Sequence, residues 1–170
     1  MNMNRTILKR HIRLSSDKEE LARLEAFIEQ VCDDYHIYDA YYGNIVAVNM
    51  LAYDLFMDRL QGKQFDVDLY FESGPEGMFF TLALGPAFLD MAALFEKALK
   101  VDPMNPDVFD GAIDQVLMMR LMADDVRIKG EEEQLQFVFY VTGVNELLTN
   151  QRIELLDKYF SRLTQYVAQA

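Results

Sequence analysis

The sequence predicts an α+β domain, a two-layer sandwich with a mixed, mostly antiparallel sheet covered by helices on one face. Three observations predict it. Phe65, Val67, Leu69 and Phe71 alternate with Asp66, Asp68, Tyr70 and Glu72, which is the period of a strand with one apolar and one wet face. That run meets a Ser73-Gly-Pro-Glu-Gly77 turn and a second apolar run, Met78 to Leu84, so the two read as a hairpin. The segments between such strands carry apolar residues at helical spacing, and 51% hydrophobic content over 170 residues supplies one core.

Taken in order, residues 6–14 read as a strand, with Leu8, Ile12 and Leu14 on one parity and Lys9, His11 and Arg13 on the other. Ser16-Asp-Lys-Glu19 has the spacing of a capping box and opens an amphipathic helix with Leu21, Leu24, Phe27, Ile28 and Val31 on one side. The next helix, about 39–61, has almost no polar face between Ile45 and Met57, so it is expected to be buried on most sides. The hairpin follows, then a helix over about 87–100, a loop with Pro103 and Pro106, and a methionine-rich helix over about 108–122. Val126-Arg-Ile128 and Leu135–Val141 flank an acidic turn as a second hairpin. A final helix, about 145–167, aligns Ile153, Leu156, Phe160, Leu163 and Val167. The order is β-α-α-β-β-α-α-β-β-α. No repeat or linker divides it, and 144–170 reads as a helix appended to a domain of residues 1–143.

Charge and composition narrow the function classes. The net charge is -12, which opposes nucleic-acid binding, since that relies on cations displacing counterions from phosphates. No apolar run approaches the roughly 20 residues that span a bilayer, and the first residues lack a signal peptide's apolar region, so a cytoplasmic protein without membrane association is expected. The single Cys32 forms no internal disulfide, and with only His11 and His36 beside it a structural zinc site has too few ligands. Residues 1–14 hold Arg5, Lys9, Arg10 and Arg13 and none of the 28 acids. They are either the cations of an edge strand lying over an acidic neighbour or a docking strip for an acidic partner.

Three stretches carry a family resemblance. Ile45 to Asp58 resembles the nucleotide-binding helix of the GHKL ATPases, the fold of gyrase, histidine-kinase and MutL-type ATP-binding domains. Thr81-Leu-Ala-Leu-Gly-Pro-Ala-Phe88 is similar to that family's strand-then-glycine box, and Gly111 to Val126 to its later helix. The likeness covers about 6–142 and is nearest to the anti-sigma-factor serine kinases. It implies an ATP- and magnesium-binding kinase fold, and its departures bear on activity. Met50 stands at the general-base glutamate and has no site to accept a proton. Asp54 matches the magnesium-holding asparagine and could still offer an oxygen, and Asp58 matches a histidine one turn on. Ala83 replaces the aspartate that recognises the adenine amino group. Gly85 and Pro86 remain, whereas Ala87 replaces the second glycine and Gln115 occupies a likely position of the later phosphate-cradling ones.

The reading that follows is a remnant nucleotide pocket of Asp54, Asp58, Gly85 and Pro86 with Met50 and Ala83, in a non-catalytic module with no catalytic residue, cofactor or metal. Its expected partner is a protein regulator of the sigma-factor-like kind. The alternatives are a working kinase that uses ATP and Mg, and a small-ligand-binding domain. Asp54 and Asp58 either share a cation or sit on an exposed edge. The loop from Asp33 to Tyr42, with four tyrosines and His36, is either a binding loop or an aromatic plug. Met91, Met104, Met118, Met119 and Met122 are either core filler or an adaptable surface. The C-terminal helix either folds back on its own domain or builds a homodimer.

Overall fold

The computed structural model describes residues 8–35, 37, 39–60, 63–74, 77–102, 111–140, 154–162 and 164. Five strands, β1 (Leu8–Ser15), β2 (Asp66–Gly74), β3 (Gly77–Ala83), β4 (Asp125–Lys129) and β5 (Gln134–Phe139), form one sheet in the order β1-β2-β3-β5-β4. All four pairings are antiparallel, so the described sheet is uniform where the sequence suggested a mixed one. The helices are α1 (Glu20–Asp34), α2 (Asp39–Arg59), α3 (Phe88–Leu99), α4 (Gly111–Met122) and α5 (154–162, with 164 again helical). The element order predicted from periodicity is the order observed.

The sheet's parity decides where the core lies. Leu14, Val67, Leu69, Phe71, Phe80, Leu82, Leu135, Phe137 and Phe139 all point to one side and are buried. The helices cover that side, with α2 packed between α1 and α4, and α3 beside α4. Because α2 is surrounded, Ile45, Val48, Ala52, Leu55 and Phe56 are buried, while Val46, Ala47, Met50, Leu51 and Met57 are half-buried against the same core. Its apolar circumference is thus used almost entirely.

Two local findings differ from the sequence reading. The capping box at Ser16 is not formed: α1 begins at Glu20, Asp17 Oδ1 accepts from the Glu19 N–H at 3.0 Å, and Ser16 Oγ instead accepts from the Phe65 N–H at 3.4 Å. A distant backbone donor has taken the hydroxyl that a local cap would use. On α5, the buried side chain is Tyr159, with Leu156 half-buried and Phe160 43% exposed. Ile153, Leu163 and Val167 of the expected stripe lie outside the described side chains, as do the two prolines and Met104 of the loop before α4.

Arg120 fixes how α4 meets α3. Its Nη1 donates to the carbonyls of Ala98 (3.2 Å) and Val101 (3.1 Å) at the end of α3, the first of which also accepts from the Val101 N–H. At the start of β3, Gly77 adopts φ +147°, and a Cβ there would stand 2.4 Å from the Phe139 carbonyl oxygen. Both the dihedral and the approach of β5 require a residue without a side chain. Gly77→Ala is expected to lower stability by about 2–3 kcal/mol, since backbone strain of this kind costs about 1–3 kcal/mol before the clash is added. Urea unfolding checks it, and a change near zero would show that the strand start can shift.

Candidate functional site

Met50, Asp54 and Asp58 follow one another at four-residue spacing along α2 and so share a face. Along that face Met50 and Asp54 are both half-buried, Met50 against the core, and Asp58 is exposed. Among the described residues, no group of three or more histidine, cysteine or acidic side chains is placed to hold a metal ion. Two carboxylates one turn apart can bridge a cation only with further oxygens, and hard cations take six or more ligands.

Across the layer, Ala83 ends β3 half-buried, and Gly85 opens a 3₁₀ turn, Gly85–Ala87, with φ +54°. No atom lies within 4 Å of the position a Gly85 Cβ would take, so that glycine is required by the turn's dihedral rather than by crowding. Pro86 follows in the first residues of the turn, where a fixed φ suits it. Ala83 carries only a methyl group, which neither donates nor accepts a hydrogen bond. Thus the residues of the sequence-predicted pocket sit on α2 and at the end of β3.

An open cleft of about 1080 Å³ lies at this end of the sheet, between the β1–α1 corner (Ser15 to Lys18) and Leu60 with Lys63 to Asp66, and it reaches Ala87. Met50, Asp54, Asp58, Ala83 and Gly85 are not among the residues that line it. Tyr53 of α2 does not line the cleft but holds its β1–α1 corner: the ring is fully buried, and its hydroxyl donates to the carbonyls of Ser15 and of Asp17, the latter at 3.1 Å. Burial, then the nearby Glu20 and Asp17, push the Tyr53 phenol up to about 12, so it stays a donor at every physiological pH. The cleft's charges balance, with Lys18 and Lys63 against Asp17 and Asp66, and its described lining holds no histidine or cysteine. A nucleophile in it would lack a neighbouring base of the usual kind. The sequence reading missed this cleft. The signal available was Tyr53 itself, a phenol in the middle of an apolar helix whose hydroxyl needed a partner.

The basic strip of β1 is spent on internal pairs. Arg13 Nε donates to Asp68 Oδ1 at 3.0 Å and its Nη2 to Oδ2 at 3.1 Å, while His11 Nε2 donates to Oδ1 at 2.8 Å. His11 also stacks on Tyr70, with ring centroids 4.6 Å apart. Lys9 pairs with Glu72 at 3.7 Å, and Arg10 with Asp34 at 3.6 Å. These match the edge-strand reading of the strip for Lys9, Arg10 and Arg13; Arg5 lies outside the described residues. Of the tyrosine loop, Tyr35 packs against Phe71 (4.9 Å between centroids) and Tyr41 is 7% exposed, which is the aromatic-plug arrangement. His36 and Tyr38 lie outside the described residues. Met91, Met119 and Met122 are buried and Met118 half-buried, so the described methionines fill the core. Cys32 is buried, and burial, with Asp33 nearby, pushes its thiol up to about 11. No helix among the described residues is long and apolar enough to cross a membrane. No protein-family model matches the chain, and no curated protein matches it in sequence.

Hydrogen bonds from Arg13, and then from His11, hold the Asp68 carboxyl below the ordinary carboxylate range despite its partial burial. A carboxyl lowered by folding contributes stability that is present above the unfolded group's value, near about 4, and is lost as pH falls through the lower folded value. Asp68→Asn is therefore expected to lower the urea midpoint at neutral pH, with the gap to the native protein closing in acid. A gap that stays constant from neutral pH into acid would show that Asp68 acts by packing alone.

Proposed function

We propose that this protein is a non-catalytic regulatory module of the cytoplasm that binds a protein regulator of the sigma-factor-like kind. Its scaffold, on this reading, is a GHKL-type domain related to the anti-sigma-factor kinases, whose nucleotide site has lost its chemistry. The observation that carries it is the environment of Met50. At the position where the resemblance places the general base, a thioether side chain packs half-buried against the hydrophobic core. A thioether is no general base, and a carboxylate placed against that core would need a partner to offset its desolvation. The order β-α-α-β-β-α-α-β-β-α, with the described helices α1 to α4 on the sheet's apolar face, fits the scaffold. Ala83 at the end of β3 supplies no acceptor for adenine, and Asp54 on α2 offers a single carboxylate where a magnesium site needs several oxygens.

ATP with magnesium, titrated into the pure protein by calorimetry, is expected to give no saturable heat up to about 1 mM, and incubation is expected to release no ADP. Binding at or below that concentration with turnover of the γ-phosphate would restore the kinase reading, with Asp54 as the magnesium ligand. The cleft beside Tyr53 favours a second reading, a domain for a small polar ligand, because it is sized for one.

The half-exposed Leu155 (41%) and Phe160 (43%) of α5 favour a homodimer through the C-terminal helix as a further partner interaction. Light scattering reads this directly: twice the chain mass of 19.8 kDa is expected, and 19.8 kDa itself rejects it.

A further inference from the structure

The sheet ends in two edge strands, β1 and β4. Around β4 the chain is described without a gap from 111 to 140, so α4, both turns and β5 are placed. Asp125 to Lys129 pair with β5 residue for residue. Among the described residues no strand lies beyond them, and none of the five holds a backbone hydrogen bond elsewhere in the chain. Alternate N–H and C=O groups of such a strand point outward, which is a template for another strand.

The two edges differ in what a second copy would meet. β1 carries Lys9, Arg10, His11 and Arg13 and no acid, so a second β1 laid antiparallel about His11 opposes Lys9 to the partner's Arg13. β4 reads Asp-Val-Arg-Ile-Lys, acidic at one end and basic at the other. Laid antiparallel about a twofold axis at Arg127, it sets Asp125 opposite the partner's Lys129 and Lys129 opposite the partner's Asp125. Val126 and Ile128, half-buried against the core, then meet each other across the seam. Arg127 comes to lie on the axis, but its charge is drawn away from it. Its Nε donates to Asp125 at 2.9 Å and its Nη2 to the Tyr140 hydroxyl at 3.2 Å. The guanidinium lies 5.9 Å from the centre of the Phe79 ring, which belongs to β3, two strands further in.

We infer that the outer edge of β4 is an interface for a second copy of this chain, paired antiparallel about Arg127 so that the two sheets join into one. Lys129 is available for it, since among the described residues it has no ion-pair partner. A seam one short strand wide buries little surface, so the association is concentration-dependent and not obligate. This rests on the β4 edge alone, and its failure would leave the function and the α5 contact proposed above untouched.

Light scattering of the full chain at about 100 μM, where a contact of micromolar strength is occupied, tests it. Lys129→Asp opposes acid to acid across the seam, and Asp125→Lys opposes cation to cation. Each variant alone is expected to associate at least about tenfold more weakly, so the native chain is expected to show about twice the mass of either. An equimolar mixture of the two variants is expected to regain the native mass, because each chain then offers the other the opposite charges. The α5 helix is the same in every sample, so the comparison reads β4. A native chain no heavier than the variants would overturn the inference, and so would a mixture that keeps the mass of its components. Asp125→Lys also takes a partner from Arg127. Should that variant not fold, Lys129→Asp and Lys129→Arg decide: loss of mass in the first with retention in the second is expected, and equal masses would overturn the inference.

Discussion

A helix that is apolar nearly all round has to be enclosed, and the rest of this molecule is arranged to enclose α2. The sheet, α1 and α4 each take part of its surface, so that Ile45, Val48, Ala52, Leu55 and Phe56 are all at or below 1% exposure. At about 1.5–3 kcal/mol for each large side chain withdrawn from water, this one helix contributes a substantial share of the drive to fold. Enclosure also constrains its few polar atoms. Tyr53 meets the constraint by donating to the β1–α1 corner, and that bond holds the corner that borders the cleft. Asn49 meets it only in part: its Nδ2 donates to the Ile45 carbonyl at 2.9 Å, and its buried Oδ1 has no partner among the described residues. A buried acceptor without a donor costs about 1–3 kcal/mol, so Asn49 is a place where the core is less stable than its packing allows.

The face of the sheet turned away from the helices is ordered by different forces. Asp68 gathers His11 and Arg13 of the edge strand onto its neighbour, and at the opposite edge Arg127 spans Asp125 (2.9 Å) and the Tyr140 hydroxyl (3.2 Å) while lying over the Phe79 ring. Between them Gln136 Nε2 donates to Thr81 Oγ1 at 3.0 Å, and both residues are buried. The charged groups of this face lie toward its two edges, Arg13 and Asp68 at one and Arg127 at the other. The cations that a strongly acidic chain retains in β1 are thereby used to close its own edge, and an exposed edge is a liability for any open sheet.

Element order was legible because each segment announces its period strongly: Asp66 to Glu72 alternates without a break, and α1 keeps its apolar face from Leu21 to Val31. What escaped the sequence was whatever depends on two distant segments at once. The Ser16 hydroxyl fits a capping box locally, but the Phe65 amide, far along the chain, claims it. The cleft joins residues 15–18 to 60 and 63–66 and has no local signature. On α5 the difficulty was degeneracy. Leu155-Leu156 and Tyr159-Phe160 are apolar doublets, so the stripe could be drawn through either member, and only the packing selects Tyr159. Of the predicted pocket, the shared face of Met50, Asp54 and Asp58 followed from spacing, whereas the exposure of Asp58 alone among them did not.

The reading proposed above assigns different roles to the residues of these stretches. In the stretches that resemble a nucleotide site, the residues retained are those the backbone itself requires. Gly85 has a positive φ at the 3₁₀ turn, where the Ala87 N–H donates to the Leu84 carbonyl at 3.2 Å, and Pro86 suits the turn's first residues. On the proposed reading, the positions that differ, Met50 and Ala83, are those where a polar side chain would serve a ligand and not the chain path. Once no ligand compensates a carboxylate at position 50, the surrounding core favours an apolar side chain there, and the half-buried thioether is the stable outcome. Packing would keep the turn and change the lining, which is the distribution these residues display.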